Sequence, residues 1–274
     1  MVLPLGDLER TRITPYVTYA LISLNAMMFL LQESRPDHLM ALACTPWEIT
    51  HNDDLVRPAV IKPPTVVQIR DPRDPTGRRI LELERPAVSI PHAPAPIPVW
   101  MTLLTAMFLH GGWMHLLGNM LYLWIVGDNV EEVLGPVLYL VVYLACGLMG
   151  SFAQIAASPN SVIPTLGASG AIAGIMGAYV VWFPHHQMRV LVFRIITVLP
   201  AAVVIGGWIV LQIISSTSSF GKIGESGGVA YLAHVGGAVT GIITAFLFYP
   251  KAQYVKARNE QRRGWSYYPR DESE

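Results

Sequence analysis

Charged side chains are scarce in this chain of 274 residues. Asp, Glu, Lys and Arg make up 14% of it, hydrophobic residues make up 52%, and the formal net charge is zero. Soluble domains usually carry about 25% charged residues, so the scarcity indicates a membrane protein with the lipid bilayer as its surroundings. No basic block stands out before the C-terminal tail, which argues against a nucleic-acid partner.

Cysteine and metal-binding motifs are scarce too. Cys44 lies in a polar, proline-rich stretch and Cys146 in an apolar one, so the sequence predicts neither a disulfide framework nor a thiolate metal site. The zinc-protease motif His-Glu-x-x-His is absent, and no aspartate lies within a long apolar stretch. We therefore predict no metal and no cofactor, although His110, His115 and His234 could in principle share a metal ion.

Long charge-free stretches are what the sequence does contain. Residues 13–32 are long enough to cross a hydrocarbon core of roughly 30 Å as a helix. The next stretch ends at Gly127, and because its first part is proline-rich, its span is predicted to begin near Trp100 or later. Four more spans are predicted, two within residues 133–188 around a turn at 158–161, and one each in 195–221 and 226–250. The predicted fold is an all-α polytopic membrane protein with six transmembrane helices.

The distribution of Lys and Arg predicts the orientation of the chain. Arg10 and Arg12 precede the first span, and five basic residues follow the last one between positions 251 and 263. Basic residues close to span ends favour the cytoplasmic side, so the tails 1–12 and 250–274 are both predicted to be cytoplasmic. The protein is then a multi-pass membrane protein whose second, fourth and sixth spans run from outside to inside.

Two segments that are predicted to lie outside the membrane differ in composition from the spans. Residues 33–99 form a predicted long extracytoplasmic loop, in which alternating residues at 65–84 indicate a small hairpin or, given the prolines, a partly ordered loop. A signal peptide over residues 1–43 is the alternative, but its cleavage-like site lies beyond the apolar stretch. The small polar residues at 215–228 are either a flexible linker or a gate over a site beneath them.

Four polar side chains are predicted at one depth near the outer surface. His115 and Asn119 belong to the first turns of the second span, Ser169 opens the fourth, and His234 lies in the sixth. Alone, each is as easily a packing residue between helices. Because polar and ionisable groups are costly at membrane depth, their shared level makes them candidates for a functional site.

These residue types suit nucleophilic catalysis. A serine becomes a useful nucleophile when a base accepts its proton, and no carboxylate lies within a span to complete a triad, so Ser169 and His234 are predicted to form a dyad. His115 and Asn119 share one helix face and can donate hydrogen bonds to an oxyanion. Close helix contact is predicted from glycines beside the polar residues, namely Gly167, Gly170, Gly174, Gly237 and Gly241.

Three motifs carry a family resemblance: Gly-x-Ser-Gly at 167–170, His-x-x-x-Asn at 115–119, and Ala-His-x-x-Gly-x-x-x-Gly at 233–241. With six spans in order, they resemble the rhomboid intramembrane serine proteases over roughly residues 100–249, which would be the catalytic core. The resemblance implies that Ser169 attacks a peptide bond of a transmembrane protein substrate near the outer membrane face. It also implies a six-helix rhomboid-like bundle in a bacterial plasma membrane.

The resemblance has two departures and leaves two rival functions open. Met101 follows Trp100 where many family members have arginine, and Ala173 stands where some have an aromatic residue that stacks on the histidine. Another group is therefore needed to orient His234. A catalytically silent rhomboid-like protein that binds membrane proteins is the main alternative, and a transporter is a weaker one because its spans offer few groups for ion coupling.

Overall fold

The chain folds mainly into helices. The computed structural model describes residues 2–9, 11–35, 41–61, 67–70, 73, 80–83, 88–219 and 230–265. The helices in these ranges are α1 (Tyr16–Ser34), α2 (Pro46–His51), α3 (Thr102–Thr105), α4 (Trp113–Leu134), α5 (Pro136–Ala157), α6 (Ser169–Trp182), α7 (Ala201–Ser219), α8 (Tyr231–Leu247) and α9 (Tyr249–Trp265). Single 3-10 turns at Val99–Met101 and Ala106–Phe108 flank α3.

Within the described ranges, seven short strands make the fold less purely helical than predicted. They are β1 (Val2–Asp7), β2 (Ala59–Ile61), β3 (Val67–Arg70), β4 (Ile80–Leu83), β5 (Val88–Ile90), β6 (Gln187–Val192) and β7 (Ile195–Pro200). All pairings are antiparallel, with β2 beside β5, β3 beside β4, and β1, β6 and β7 in one sheet in that order. The β3–β4 pair lies at the position of the predicted hairpin.

The three-stranded sheet corrects one sequence prediction, the start of the fifth span. The tail 1–12 contains strand β1, which pairs with β6 from Val2 opposite Val192 to Asp7 opposite Met188. Residues 195–200, predicted as the start of the fifth span, form β7, and the helix begins only at Ala201. The physical reason is that Ile, Thr and Val favour strands. In addition, Arg189 and Arg194 place charge on the hairpin formed by β6 and β7, so this hairpin does not continue the apolar helix.

Helix length and apolarity single out fewer spans than the six predicted. Within the described ranges, α5 alone is a single helix long and apolar enough to cross a membrane, and α8 with α9 passes the same test as a pair bent by 69°. Shorter apolar helices occur at Val99–Phe108, Ser169–Trp182 and Ala201–Ser216. The second predicted span has its long helix from Trp113, because Gly111 and Gly112 separate it from the short helical stretch around Trp100.

Helix α6 forms the centre of the bundle. Every residue from Gly170 to Tyr179 is buried, which is expected of a helix that is apolar on all sides. Helix α8 lies directly against it, and a Cβ atom at Gly237 or Gly241 would overlap the carbonyl oxygen of Gly170 or Gly174 respectively. Only glycine permits this approach of the two backbones, which brings the first turn of α8 close to the first turn of α6.

Buried carboxylates fix the helix ends opposite Ser169. Glu131 of α4 accepts hydrogen bonds from the backbone N–H of Val17 at 3.0 Å and of Thr18 at 2.8 Å, and a third from the Thr18 hydroxyl at 2.8 Å. The carboxylate thereby caps the first turn of α1, whose N–H groups have no partner within the helix. Asp7 on β1 accepts hydrogen bonds from Tyr179 and from Asn129, which fastens the sheet to α6 and α4.

Part of the outer segment packs against the chain that leads to Ser169. Cys44 and Thr165 exchange two backbone hydrogen bonds, of 3.0 and 2.7 Å, and Trp47 N–H donates to the Ser161 carbonyl. Both cysteines are buried and free. Because these bonds tie residues 161 and 165 to residues 47 and 44, residues 44–47 contribute to the position at which α6 begins.

Candidate active site

Ser169 and His234 meet at one end of the bundle. Ser169 is the first residue of α6, and His234 lies in the first turn of α8. The Ser169 Oγ and His234 Nε2 are 2.7 Å apart, which is a hydrogen bond of ordinary length. The close crossing of α6 and α8 at their glycines is what brings the two side chains within reach. His234 is 9% exposed and thus buried, whereas Ser169 is partly exposed.

The second nitrogen of His234 also has a partner. Its Nδ1 lies 2.7 Å from the carboxamide oxygen of Gln212 on α7. The indole of Trp208, one turn earlier on α7, tilts against the imidazole with ring centroids 5.5 Å apart. Sequence reasoning missed both residues, although Gln212 is the one polar amide in the apolar first fourteen residues of α7. Trp208 supplies an aromatic contact that Ala173 cannot, from a different helix.

His115 lies against the backbone that precedes the serine. A Cβ atom added at Gly167 would come 2.8 Å from its Nε2 and Cε1 atoms. Gly167 has φ +124, a conformation that side-chain-bearing residues rarely adopt, so two constraints require glycine here. The Gly111 N–H donates to His115 Nδ1 at 3.3 Å. A neutral imidazole that accepts at Nδ1 carries its proton on Nε2, the atom that faces the loop before Ser169.

Asn119 lies one turn after His115 on α4. It is 8% exposed, and its amide nitrogen has no hydrogen-bond partner within the described part of the chain. A buried donor without a partner is unfavourable, and such groups are rare in folded proteins. Asn119 makes no side-chain hydrogen bond to Ser169 or His234, so the structure brings it to the same end of the bundle without joining it to the pair.

His110 belongs to the turn into α4 and not to the pair. The side chain of Gln32 on α1 bonds the His110 backbone twice, donating to its carbonyl at 2.6 Å and accepting from its N–H at 3.0 Å. The ring packs edge-on to His115 with centroids 5.2 Å apart. Over the ranges the structure describes, no three His, Cys, Asp or Glu side chains come together as metal ligands.

A small cavity opens beside the pair. Glycine and alanine form much of its wall, through Gly167, Gly170 and Ala233, and the hydroxyl-bearing Ser151 and Thr165 also line it. Hydroxyl groups give a water molecule places to bond, and small residues leave room for it. The predicted gate at 215–228 falls largely outside the described residues.

Comparison with known proteins identifies the family of this chain. A model of the rhomboid domain matches residues 98–251. Rhomboid protease GluP of Bacillus subtilis is 48% identical over 79 residues, which is 29% of this chain and 15% of that protein. The mitochondrial Rhomboid protein 1 of Saccharomyces cerevisiae is 27% identical over 168 residues, or 60% of this chain and 46% of that protein.

A plant relative is similar over a comparable length. The chloroplastic Rhomboid-like protein 11 of Arabidopsis thaliana is 28% identical over 157 residues, 55% of this chain and 53% of the relative. The chain thus spans about half the length, or less, of the curated relatives it matches. Since the domain match covers more than half of the chain, the chain belongs to the rhomboid family of integral membrane proteins, which includes serine intramembrane proteases.

Proposed function

We propose that this chain is an intramembrane serine endopeptidase with a Ser169–His234 dyad. The observation that carries the proposal is the 2.7 Å contact between Ser169 Oγ and the Nε2 of the buried His234 ring. In the proposed reaction, Nε2 accepts the hydroxyl proton while Oγ attacks the carbonyl carbon, and the imidazolium then returns the proton to the leaving amine. Water hydrolyses the resulting acyl ester by the same exchange in reverse.

Oxyanion stabilisation falls to groups around the first turn of α6. The N–H of Ser169 lies at a helix N-terminus, where backbone N–H groups have no partner within the helix and the helix dipole is positive. His115 offers Nε2–H beside Gly167, and Asn119 offers an amide nitrogen that has no partner among the described residues. Donors that are placed before the charge develops lower the barrier most effectively.

The proposed substrates are transmembrane proteins cleaved near the outer membrane face. Six spans, with both tails cytoplasmic and residues 33–99 outside, would put Ser169 at that level, because α4, α6 and α8 all begin there. The apolar surface of α7 supports a site reached from the bilayer, since Val203, Val210 and Ile214 are exposed. A bacterial plasma membrane is the proposed location.

Labelling with a fluorophosphonate probe tests the dyad without a known substrate. The detergent-solubilised native chain is expected to be labelled, and Ser169→Ala and His234→Ala are expected to lose the label. Ser158→Ala, which removes an exposed serine from the turn after α5, is the matched control and should label like the native chain. An unlabelled native chain with a cooperative unfolding transition would overturn the proposal in favour of a catalytically silent membrane-protein-binding member.

A further inference from the structure

We propose that Gln212 is a positioning residue of the site, whose carboxamide oxygen holds the His234 imidazole in the one tautomer that can act as a base toward Ser169. This inference rests on the proposed function and adds a third member to the predicted dyad. It is carried by the 2.7 Å contact between Gln212 Oε1 and His234 Nδ1, on the side of the ring opposite Ser169.

The two contacts of the ring have opposite requirements. A neutral imidazole carries one proton, on either Nδ1 or Nε2. To receive the Ser169 proton, Nε2 must present its lone pair, so the ring proton has to be on Nδ1. A carboxamide oxygen can only accept a hydrogen bond, and it therefore stabilises the tautomer that carries the proton on Nδ1. Without that acceptor, the ring could place its proton on Nε2 and donate to the serine, which is the unreactive arrangement.

The position of Gln212 on α7 suits this role. Val204, Trp208, Gln212 and Ser216 follow one another at intervals of four residues and so form one stripe of the helix. Val204 and Ser216 are buried, and the two between them are partly buried. The residues on either side of Gln212, Leu211 and Ile213, are 60% and 45% exposed. The amide is therefore the polar member of an inward stripe, with an apolar outward surface beside it.

Trp208 complements the hydrogen bond. Its indole lies against the imidazole, with the ring planes at 37°, while Gln212 holds the ring edge. A contact on the face limits tilting and a bond at the edge limits rotation, so together they leave the Nε2 atom directed at Ser169. Both constraints come from α7, and the sequence resemblance had left the group that orients His234 unidentified.

A neutral amide suits this depth better than a carboxylate would. An ionised acid in an apolar setting carries a large desolvation penalty, whereas an amide with its oxygen bonded carries a small one. The amide controls the tautomer but offers no full charge to the imidazolium that forms. Its removal should therefore slow the reaction by roughly 10-fold to 100-fold, less than the roughly 10⁴-fold associated with loss of a triad aspartate.

Nitrogen-15 NMR of the histidine rings tests the tautomer independently of any activity. The detergent-solubilised full chain is labelled at histidine, and the His234 signals are identified by their loss in His234→Asn. At a pH where the ring is neutral, we expect a protonated Nδ1 and an unprotonated Nε2 in the native chain. In Gln212→Met, which keeps the side-chain length without the acceptor, we expect the signals to move toward a mixture of tautomers.

Labelling rates then test the consequence for Ser169. Gln212→Met should react with the fluorophosphonate probe roughly 10-fold to 100-fold more slowly than the native chain. Gln212→Glu should recover most of the rate, because a carboxyl oxygen, ionised or not, can accept from Nδ1–H. The matched control is Leu211→Met, which makes the same residue one position away on the exposed face of α7 and should leave the rate unchanged.

The outcomes separate this inference from the proposed function. A native His234 with its proton on Nε2, or a tautomer unchanged in Gln212→Met, would overturn the role of Gln212 even if labelling is normal. Failure of the native chain to label, with the tautomer as expected, would overturn the protease proposal and leave the positioning role intact. An equal loss of rate in Leu211→Met would show that helix α7 is disturbed in general, which also contradicts a specific role.

Discussion

The two ends of the bundle use polar side chains in opposite ways. At the end with the three-stranded sheet, the carboxylates are fully engaged: Glu131 accepts three hydrogen bonds from the start of α1, and Glu132 pairs with Arg258 at 3.1 Å. Around Ser169 the polar side chains are histidines and amides, and one donor, the Asn119 amide nitrogen, has no partner within the described part of the chain. The first arrangement stabilises the fold, whereas the second leaves donors available to a reacting group.

The largest expected effect tests the unpaired donor. Asn119→Ala should slow cleavage of a transmembrane reporter substrate by roughly 100-fold to 1000-fold, the usual loss of about 2.7–4 kcal/mol for one oxyanion donor. Because the amide nitrogen has no partner in the described part of the chain, the variant should unfold at the native temperature or above. A lower unfolding temperature at an unchanged rate would mean that Asn119 serves the fold.

A second prediction tests the carboxylate that caps α1. Glu131→Ala leaves the N–H groups of the partly buried Val17 and the buried Thr18 without an acceptor, and should lower the free energy of unfolding by roughly 3 kcal/mol. Chemical unfolding in detergent measures the loss. Glu33→Ala, at an exposed position of α1, is the control and should have little effect. If Glu131→Ala remains folded but is no longer labelled, the separation of roles between the two ends of the bundle is contradicted.

A third prediction uses the other asparagine of α4. Asn129 donates to Asp7 at 3.1 Å, so Asn129→Ala should lower the free energy of unfolding by about 1–2 kcal/mol and leave the labelling rate unchanged. Hydrogen exchange should also become faster in β1, because Asp7 loses one of its partners. Asn119→Ala is therefore expected to reduce activity and Asn129→Ala to reduce stability, although both residues lie on α4. Similar outcomes for the two variants would contradict the comparison.

The smallest effect concerns the outer segment beside Ser169. Burial raises the pKa of the Cys44 thiol to about 11. Since the thiolate is the reactive form, alkylation of Cys44 in the folded chain should be much slower than in the unfolded chain at neutral pH. Mass spectrometry after timed alkylation measures the difference. Rapid alkylation in the folded chain would show that the pairing of Cys44 with Thr165 opens readily.

Sequence patterns predicted the membrane character and the meeting of Ser169 with His234 better than the helix limits. Ser169, His115, Asn119 and His234 were identifiable because each is polar at a predicted apolar depth. The strand at 195–200 could not be identified in this way, because a short run of Ile, Thr, Val and Leu has the same apolarity as the start of a span. Its pairing with residues 187–192 is a contact that periodicity cannot report.

The residues that complete the site show where sequence reasoning ends. A lone glutamine in an apolar helix is a visible signal, but nothing in the sequence says which histidine it faces. Gln212 and His234 lie 22 positions apart in the chain, on different helices, and their contact depends on how α7 packs against α8. Likewise, the bond from Glu131 to the start of α1 spans more than a hundred residues.

By itself, the sequence determined the scarcity of charge, and with it the membrane class, the family motifs and the glycines that permit close helix contact. Those features are local, since each depends on residue type and spacing along one helix. Only the tertiary structure decided that His234 is held by an amide and an indole from α7, that the N-terminal residues pair with β6, and that a carboxylate caps α1. These depend on distances between helices, which side-chain packing sets and which no single stretch of sequence encodes.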